Sequence, residues 1–118
     1  MAIHNEVGKR GEMLARKYLE GKGYKILEQN YKTKRGEVDI IAKHNDTLVF
    51  VEVRTKRHEQ FGTPEDTINY HKKRKMMLNA KAYTVRSKHN GLFRIDAICA
   101  IMTEYGVARI THYEDICG

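Results

Sequence analysis

Two β-rich runs around a short polar turn constrain this chain more than any other feature. Glu37-Val38-Asp39-Ile40-Ile41-Ala42 and Thr47-Leu48-Val49-Phe50-Val51-Glu52-Val53 flank His44-Asn45-Asp46. Aliphatic and β-branched residues favour a pleated backbone, and Asn and Asp both tolerate the positive φ of a two-residue hairpin turn. With Asn45-Asp46 as the turn, His44 faces Thr47, Ile41 faces Phe50, Asp39 faces Glu52 and Glu37 faces Arg54. Side chains alternate along a strand, so the acids and Arg54 share one face. Val38, Ile40, Val49, Val51 and Val53 line the other, which is expected to be the packed one.

The rest of the chain reads as elements around this ribbon. Val7, Gly11, Leu14, Ala15, Tyr18 and Leu19 recur at three- and four-residue steps, predicting a helix from about Asn5 to Glu20 that Gly21 and Gly23 stop. Tyr24 to Tyr31 alternates weakly and reads as a strand. Thr63-Pro64-Glu65-Asp66 looks like a helix start, with Thr as cap, Pro at the first position and acids in the first turn. That helix is expected to run to about Arg86. Leu92 to Ile101 is an apolar strand broken by Arg94 and Asp96, and Val107 to Tyr113 is a last short strand. The order αβββαββ describes an α/β domain with a mixed central sheet flanked by helices. At 118 residues, one domain spanning 1–118 is expected, with a radius of gyration of roughly 13–14 Å. The longest apolar run, Leu48 to Val51, is far too short to cross a bilayer, and no leader pattern opens the chain. A cytoplasmic protein without a membrane partner is the expectation. Cys99 and Cys117 match no zinc spacing and read as reduced thiols.

Two carboxylates about 5 Å apart repel by roughly 1 kcal/mol in water but about 3 kcal/mol at an effective dielectric near 20. Exposed, Asp39 and Glu52 would be solvated edge charges; half-buried under a helix, they demand a cation or a shared proton. All-oxygen ligation favours Mg²⁺ or Mn²⁺ over zinc. Glu12 lies at the rim of the first helix's apolar stripe, either as an ordinary boundary glutamate or as a third carboxylate reaching the hairpin. On the second helix Ile68, Lys72, Met76, Asn79, Ala80 and Tyr83 share a stripe, so Lys72 sits among apolar neighbours, a place lysine avoids unless it snorkels or meets an anion. Basic clusters bracket the acids: Lys32, Lys34 and Arg35 before, Arg54, Lys56 and Arg57 after, then Lys72, Lys73, Arg74 and Lys75. With 22 Lys and Arg against 15 Asp and Glu, the chain carries +7. Each cluster alone is an ordinary solvated surface; around an acid-lined metal site they imply a phosphate backbone over a hydrolytic centre.

Asp39 followed by Glu52-Val53-Arg54 on the next strand resembles the D…(D/E)-x-K pattern of restriction-endonuclease-like nucleases, whose core the αβββαβ order also resembles. Gly11-Glu12, Asn30-Tyr31, Gly36-Glu37-Val38-Asp39, Phe50-Val51-Glu52-Val53-Arg54, Phe61-Gly62-Thr63-Pro64-Glu65 and Arg94-Ile95-Asp96 resemble the YraN family of uncharacterised bacterial proteins, considered akin to archaeal Holliday-junction resolvases. The resemblance implies that Asp39 and Glu52 bind Mg²⁺ or Mn²⁺ with the Val53 carbonyl, and that Glu12 matches the acid of the first helix. It implies a nuclease hydrolysing phosphodiester bonds in DNA, branched or structured DNA included. Arg54 departs from the pattern's lysine: arginine stabilises charge but cannot act as a base, so Lys56 or Lys72 would have to compensate. The alternative is a nucleic-acid-binding protein that keeps the fold without cleavage. A resolvase of a two-fold-symmetric junction would act as a homodimer, whereas a domain this small could cut one strand as a monomer.

Overall fold

The computed structural model describes residues 2–56, 68–103 and 106–118. Its elements are α1 (Ala2–Gly21), β1 (Lys25–Thr33), β2 (Gly36–His44), β3 (Thr47–Lys56), α2 (Tyr70–Arg86), β4 (Phe93–Thr103) and β5 (Gly106–Tyr113), in the expected αβββαββ order. The five strands form one sheet in the order β1-β2-β3-β4-β5. β3 and β4 are parallel and the other neighbours antiparallel, so α2 lies in the crossover that a parallel pair requires. The radius of gyration is 14.0 Å. No helix among the described residues is long and apolar enough to cross a membrane.

The hairpin register follows the turn. Asn45 takes φ 55°, and Cα partners run from His44↔Thr47 to Ile40↔Val51. There the ribbon forks: β2 continues on β1 through Tyr31↔Val38 and Lys32↔Glu37, while β3 continues on β4 to Lys56↔Ile101. The expected pairs Asp39–Glu52 and Glu37–Arg54 fall beyond the last β2–β3 rung and are not ladder partners.

Both faces of the hairpin are packed, not one. Ala15 and Leu19 of α1 cover Ile40, Ala42, Val49, Val51 and Ile98, while Met76, Ala80 and Tyr83 of α2 cover Ile41, Leu48, Phe50, Ile95 and Ala97. Val38, expected with Ile40 and Val49, packs in the α2 cluster instead. A crossover helix on one side and an N-terminal helix on the other leave the central strands no solvent face, which is why Leu48 to Val51 read as a continuous apolar run.

Local sequence sets the helix ends. The Gly23 N–H donates to the Glu20 carbonyl and the Tyr24 N–H to that of Leu19, a Schellman closure of α1 that needs the positive φ of Gly23, 90°. α2 begins at Tyr70, capped by Asn69, whose side chain accepts from the Lys72 N–H at 2.9 Å. The helix is therefore not continuous from Thr63, because Asn69 holds an extended backbone (φ −74°, ψ 171°) just before it. Thr63-Pro64 itself and Arg57 lie outside the described residues.

Candidate functional site

The site stands where the hairpin forks. Asp39 Oδ2 accepts a hydrogen bond from the Val53 N–H at 2.8 Å, so a side chain of β2 satisfies a backbone donor of β3 beyond the last rung. Glu52 is only 3% exposed. Its Oε2 lies 2.7 Å from Lys72 Nζ and 3.6 Å from Arg54 Nε, so helix α2 and strand β3 both deliver a cation to it. Lys72 thus meets the anion that its position among apolar neighbours called for.

α1 approaches from the other side. A Cβ at Gly11 would overlap the Thr55 hydroxyl, so glycine is what allows this close contact with the end of β3. The next residue, Glu12, is half-buried; desolvation, Glu37 and Glu52 all raise its carboxyl above the usual range. Asp39 is pushed up to about 7: burial and the charge of Glu52 lead, the Val53 N–H opposes, Glu12 adds and Lys72 opposes. Burial and the neighbouring carboxylates therefore disfavour charge on Asp39 and Glu12, and Asp39 holds a proton up to near-neutral pH.

A cleft of about 350 Å³ opens beside Asp39, walled by Arg35, Glu37, Lys72, Lys75 and Asn79. Asn79, 2% exposed, holds it together: its Oδ1 accepts from Thr33 Oγ1 at 2.6 Å and its Nδ2 donates to the Gly36 carbonyl at 3.3 Å. This ties the β1–β2 turn to α2. Of the three basic clusters, Arg35, Lys72 and Lys75 reach the cleft. Lys32 pairs with Glu37 at 3.8 Å, Lys34 is exposed in the turn, and Lys56 lies at the end of β3, near enough to Cys99 to oppose the burial that raises that thiol. Lys73 and Arg74 face away, along the opposite flank of α2.

Among the described residues, no three His, Cys, Asp or Glu side chains gather closely enough to cage a metal. Mg²⁺ does not need such a cage. It is held by one or two carboxylates, with waters and substrate phosphates completing its octahedron. Asp39 and Glu52 fit that sparse donor set, and the raised proton affinity of Asp39 marks a place where added positive charge is favourable.

Sequence reasoning missed the role of Asp96, which is 0% exposed on β4. Arg94 Nε donates to both its oxygens at 3.0 and 3.2 Å, His112 Nε2 lies 2.7 Å away, and the Asp115 N–H donates at 2.9 Å. Burial raises the Asp96 carboxyl, but the His112, Asp115 and Arg94 bonds outweigh it and hold it low. Arg94 also donates to Tyr24 Oη at 2.7 Å, linking β4 to the end of α1. The signal available was Arg94 and Asp96 interrupting an apolar strand; their partners are distant in sequence.

Comparison with known proteins gives the chain its relatives. A model of "Uncharacterised protein family UPF0102" matches residues 11–100. A UPF0102 protein of Christiangramia forsetii is 39% identical over 115 residues, covering 98% of this chain and 96% of that one. One of Alkaliphilus oremlandii is 44% identical over 86 residues, 73% of this chain and 74% of the relative. One of Thermodesulfovibrio yellowstonii is 45% identical over 93 residues, 79% and 83%. The matched stretch begins at Gly11, the glycine that seats Glu12, and runs through the fork, Lys72 and Asp96. The chain belongs to the uncharacterised protein family UPF0102, which corresponds to the YraN family.

Proposed function

We propose that this chain is a Mg²⁺-dependent nuclease that hydrolyses phosphodiester bonds in DNA, including branched or otherwise structured DNA. The observation that carries the reading is a basic cleft lined by Asp39 and Lys72, with the buried Glu52 paired to Lys72 and close enough to act on the charge of Asp39. Asp39 and Glu52 would hold the ion. When bound, Mg²⁺ supplies Lewis-acid polarisation of a phosphoryl oxygen and lowers the pKa of water.

The protein's own groups do the rest. Asp39 gives up its proton on loading. Lys72 and Arg54, both beside Glu52, keep positive charge where negative charge grows on the phosphate. The resemblance puts a lysine where Arg54 stands; here a lysine ammonium arrives from α2 instead. Arg35 and Lys75 in the cleft wall suit flanking phosphates. On a two-fold-symmetric junction the working unit would be a homodimer, and a cytoplasmic location suits a DNA substrate.

The test is incubation of purified protein with junction, flap and linear DNA and Mg²⁺ or Mn²⁺. Cleavage is expected, and Asp39→Ala or Glu52→Ala should abolish it; cleavage unchanged by both substitutions defeats the assignment. The close Lys72–Glu52 pair, together with Arg54 in place of lysine, favours one second reading: a DNA-binding protein without turnover. It would show salt-sensitive binding weakened by replacing Lys72, Arg74 and Lys75, with no metal-dependent product.

A further inference from the structure

The outer flank of α2 carries a surface that the cleft does not use. Tyr70 is 68% exposed. Arg74 Nη1 lies 3.5 Å from its hydroxyl, and its ring meets His71 edge-on at 5.8 Å between centroids. Beside it a groove of about 500 Å³ is lined by apolar Met77, Leu78, Ile116 and Cys117 and by the cations Lys73, Arg74 and Lys81. α2 contains no acidic residue, and among the described residues none of these three cations has an ion-pair partner.

An aromatic ring, an apolar lining and unneutralised cations along one helix face ask for a ligand that is flat and apolar on one side and anionic on the other. An unpaired nucleotide strand has that chemistry. A duplex does not, because its base faces are stacked within it and only phosphates reach a convex helix. An acidic protein segment would satisfy the cations but leave the ring without a stacking partner.

We propose that the outer face of α2 binds a single-stranded DNA segment, with Tyr70 stacking on an unpaired base and Lys73, Arg74 and Lys81 on its phosphates. The inference rests on the reading that the cleft receives DNA. Cleft and groove flank the same first turns of α2, about one helix diameter apart (~10–12 Å). A strand crossing the start of α2 would therefore be held single-stranded within a few nucleotides of Asp39 and Glu52. The substrate class becomes DNA with an unpaired arm or gap.

The experiment is fluorescence anisotropy of the full chain in EDTA at fixed salt, with a single-stranded oligonucleotide, a blunt duplex of the same sequence and a flap. Tyr70→Ala should weaken single-strand and flap binding about 5- to 100-fold, the worth of one stacked base, and duplex binding by less than about 2-fold. Tyr70→Phe should retain wild-type affinity, and a 2-aminopurine in the arm should be quenched by wild type but not by Tyr70→Ala. Thermal melts confirm that the exposed substitution leaves the fold intact. Equal losses on all three DNAs, no loss on any, or a Phe variant as weak as Ala would overturn the inference while leaving the cleft reading standing. No binding by wild type to any of the three would overturn both. An unchanged DNA profile with a self-associated species lost on sedimentation would assign the groove to a protein contact and likewise overturn it.

Discussion

Replacing Asp39 with Asn should stabilise the protein at alkaline pH and do progressively less in acid. Asn keeps an oxygen to accept the Val53 N–H. It removes a charge that burial, Glu52 and Glu12 all disfavour. The carboxyl moves from an ordinary 3.8 to about 7, and at 1.36 kcal/mol per pH unit this gives a ceiling of about 4 kcal/mol. The cleft admits solvent beside Asp39, so we expect about half of that. The folded-state pKa of this acid lies above its unfolded value, so the folded form binds the proton more tightly. Stability from this group is therefore lost as pH rises from about 4 to about 7 and is flat above. The assay is urea unfolding of wild type and Asp39→Asn in EDTA at pH 5, 6, 7 and 8. The variant should be about 2 kcal/mol more stable at pH 8, worth roughly 6–8 °C in Tm, with a smaller gain at pH 5. A variant no more stable than wild type at pH 8, or a gap independent of pH, would refute the argument.

Four further outcomes follow from the same geometry. Gly11→Ala should cost about 1–3 kcal/mol in urea unfolding, because the overlap with Thr55 outweighs the gain in helix propensity, and Thr55→Ala should recover part of it. Asp96→Asn should cost about 3 kcal/mol at pH 7 by leaving Arg94 and His112 without their anion. Since the Asp96 carboxyl is held low, its contribution is present above the unfolded value and lost as pH falls, so the gap to wild type should close in acid denaturation. Adding 10 mM Mg²⁺ at pH 8 should raise Tm by about 4 °C if the ion binds near 1 mM, a linkage of about 1.4 kcal/mol, and Asp39→Ala with Glu52→Ala should abolish the shift. Lys72→Met should lower the cleavage rate at least ~100-fold, and adding Arg54→Lys should recover part of it; undiminished cleavage by Lys72→Met would remove Lys72 from the proposed mechanism.

What was legible in the sequence was what local chemistry decides. The register of the hairpin follows from a two-residue turn and a period of two, and the partners from His44↔Thr47 to Ile40↔Val51 agree with it. The fork does not follow from either. Past the last shared rung β2 stays paired to β1 and β3 to β4, each along its other edge, and one carboxylate bonds to a backbone N–H fourteen residues away. The start of α2 was misplaced for a related reason: Asn69-Tyr70-His71-Lys72 lacks the acidic first turn that made Thr63-Pro64-Glu65-Asp66 conspicuous. Lys72 announced that an anion must face it without naming Glu52. The Asp96 network gave only its interruption of a strand, since its partners His112, on β5, and Asp115, just after it, are sixteen and nineteen residues away.

The placement of Lys72 follows from topology. β3 and β4 are parallel, so the chain must leave the carboxyl end of β3, cross over and return, and it does so through α2. The first turn of that crossover helix lies near the end of β3 that carries Glu52 and Arg54. Ligands of open α/β sheets gather at the carboxyl ends of strands for the same reason. A lysine two residues into α2 can therefore reach Glu52 at 2.7 Å without any side chain on β3 supplying it. This uncouples the charge at the carboxylates from the residue type at position 54: an arginine there keeps a permanent cation at 3.6 Å, while the ammonium comes from the helix. The departure that weakens the strand motif when read as a string is, in three dimensions, a division of two positive charges between two elements that meet at the fork.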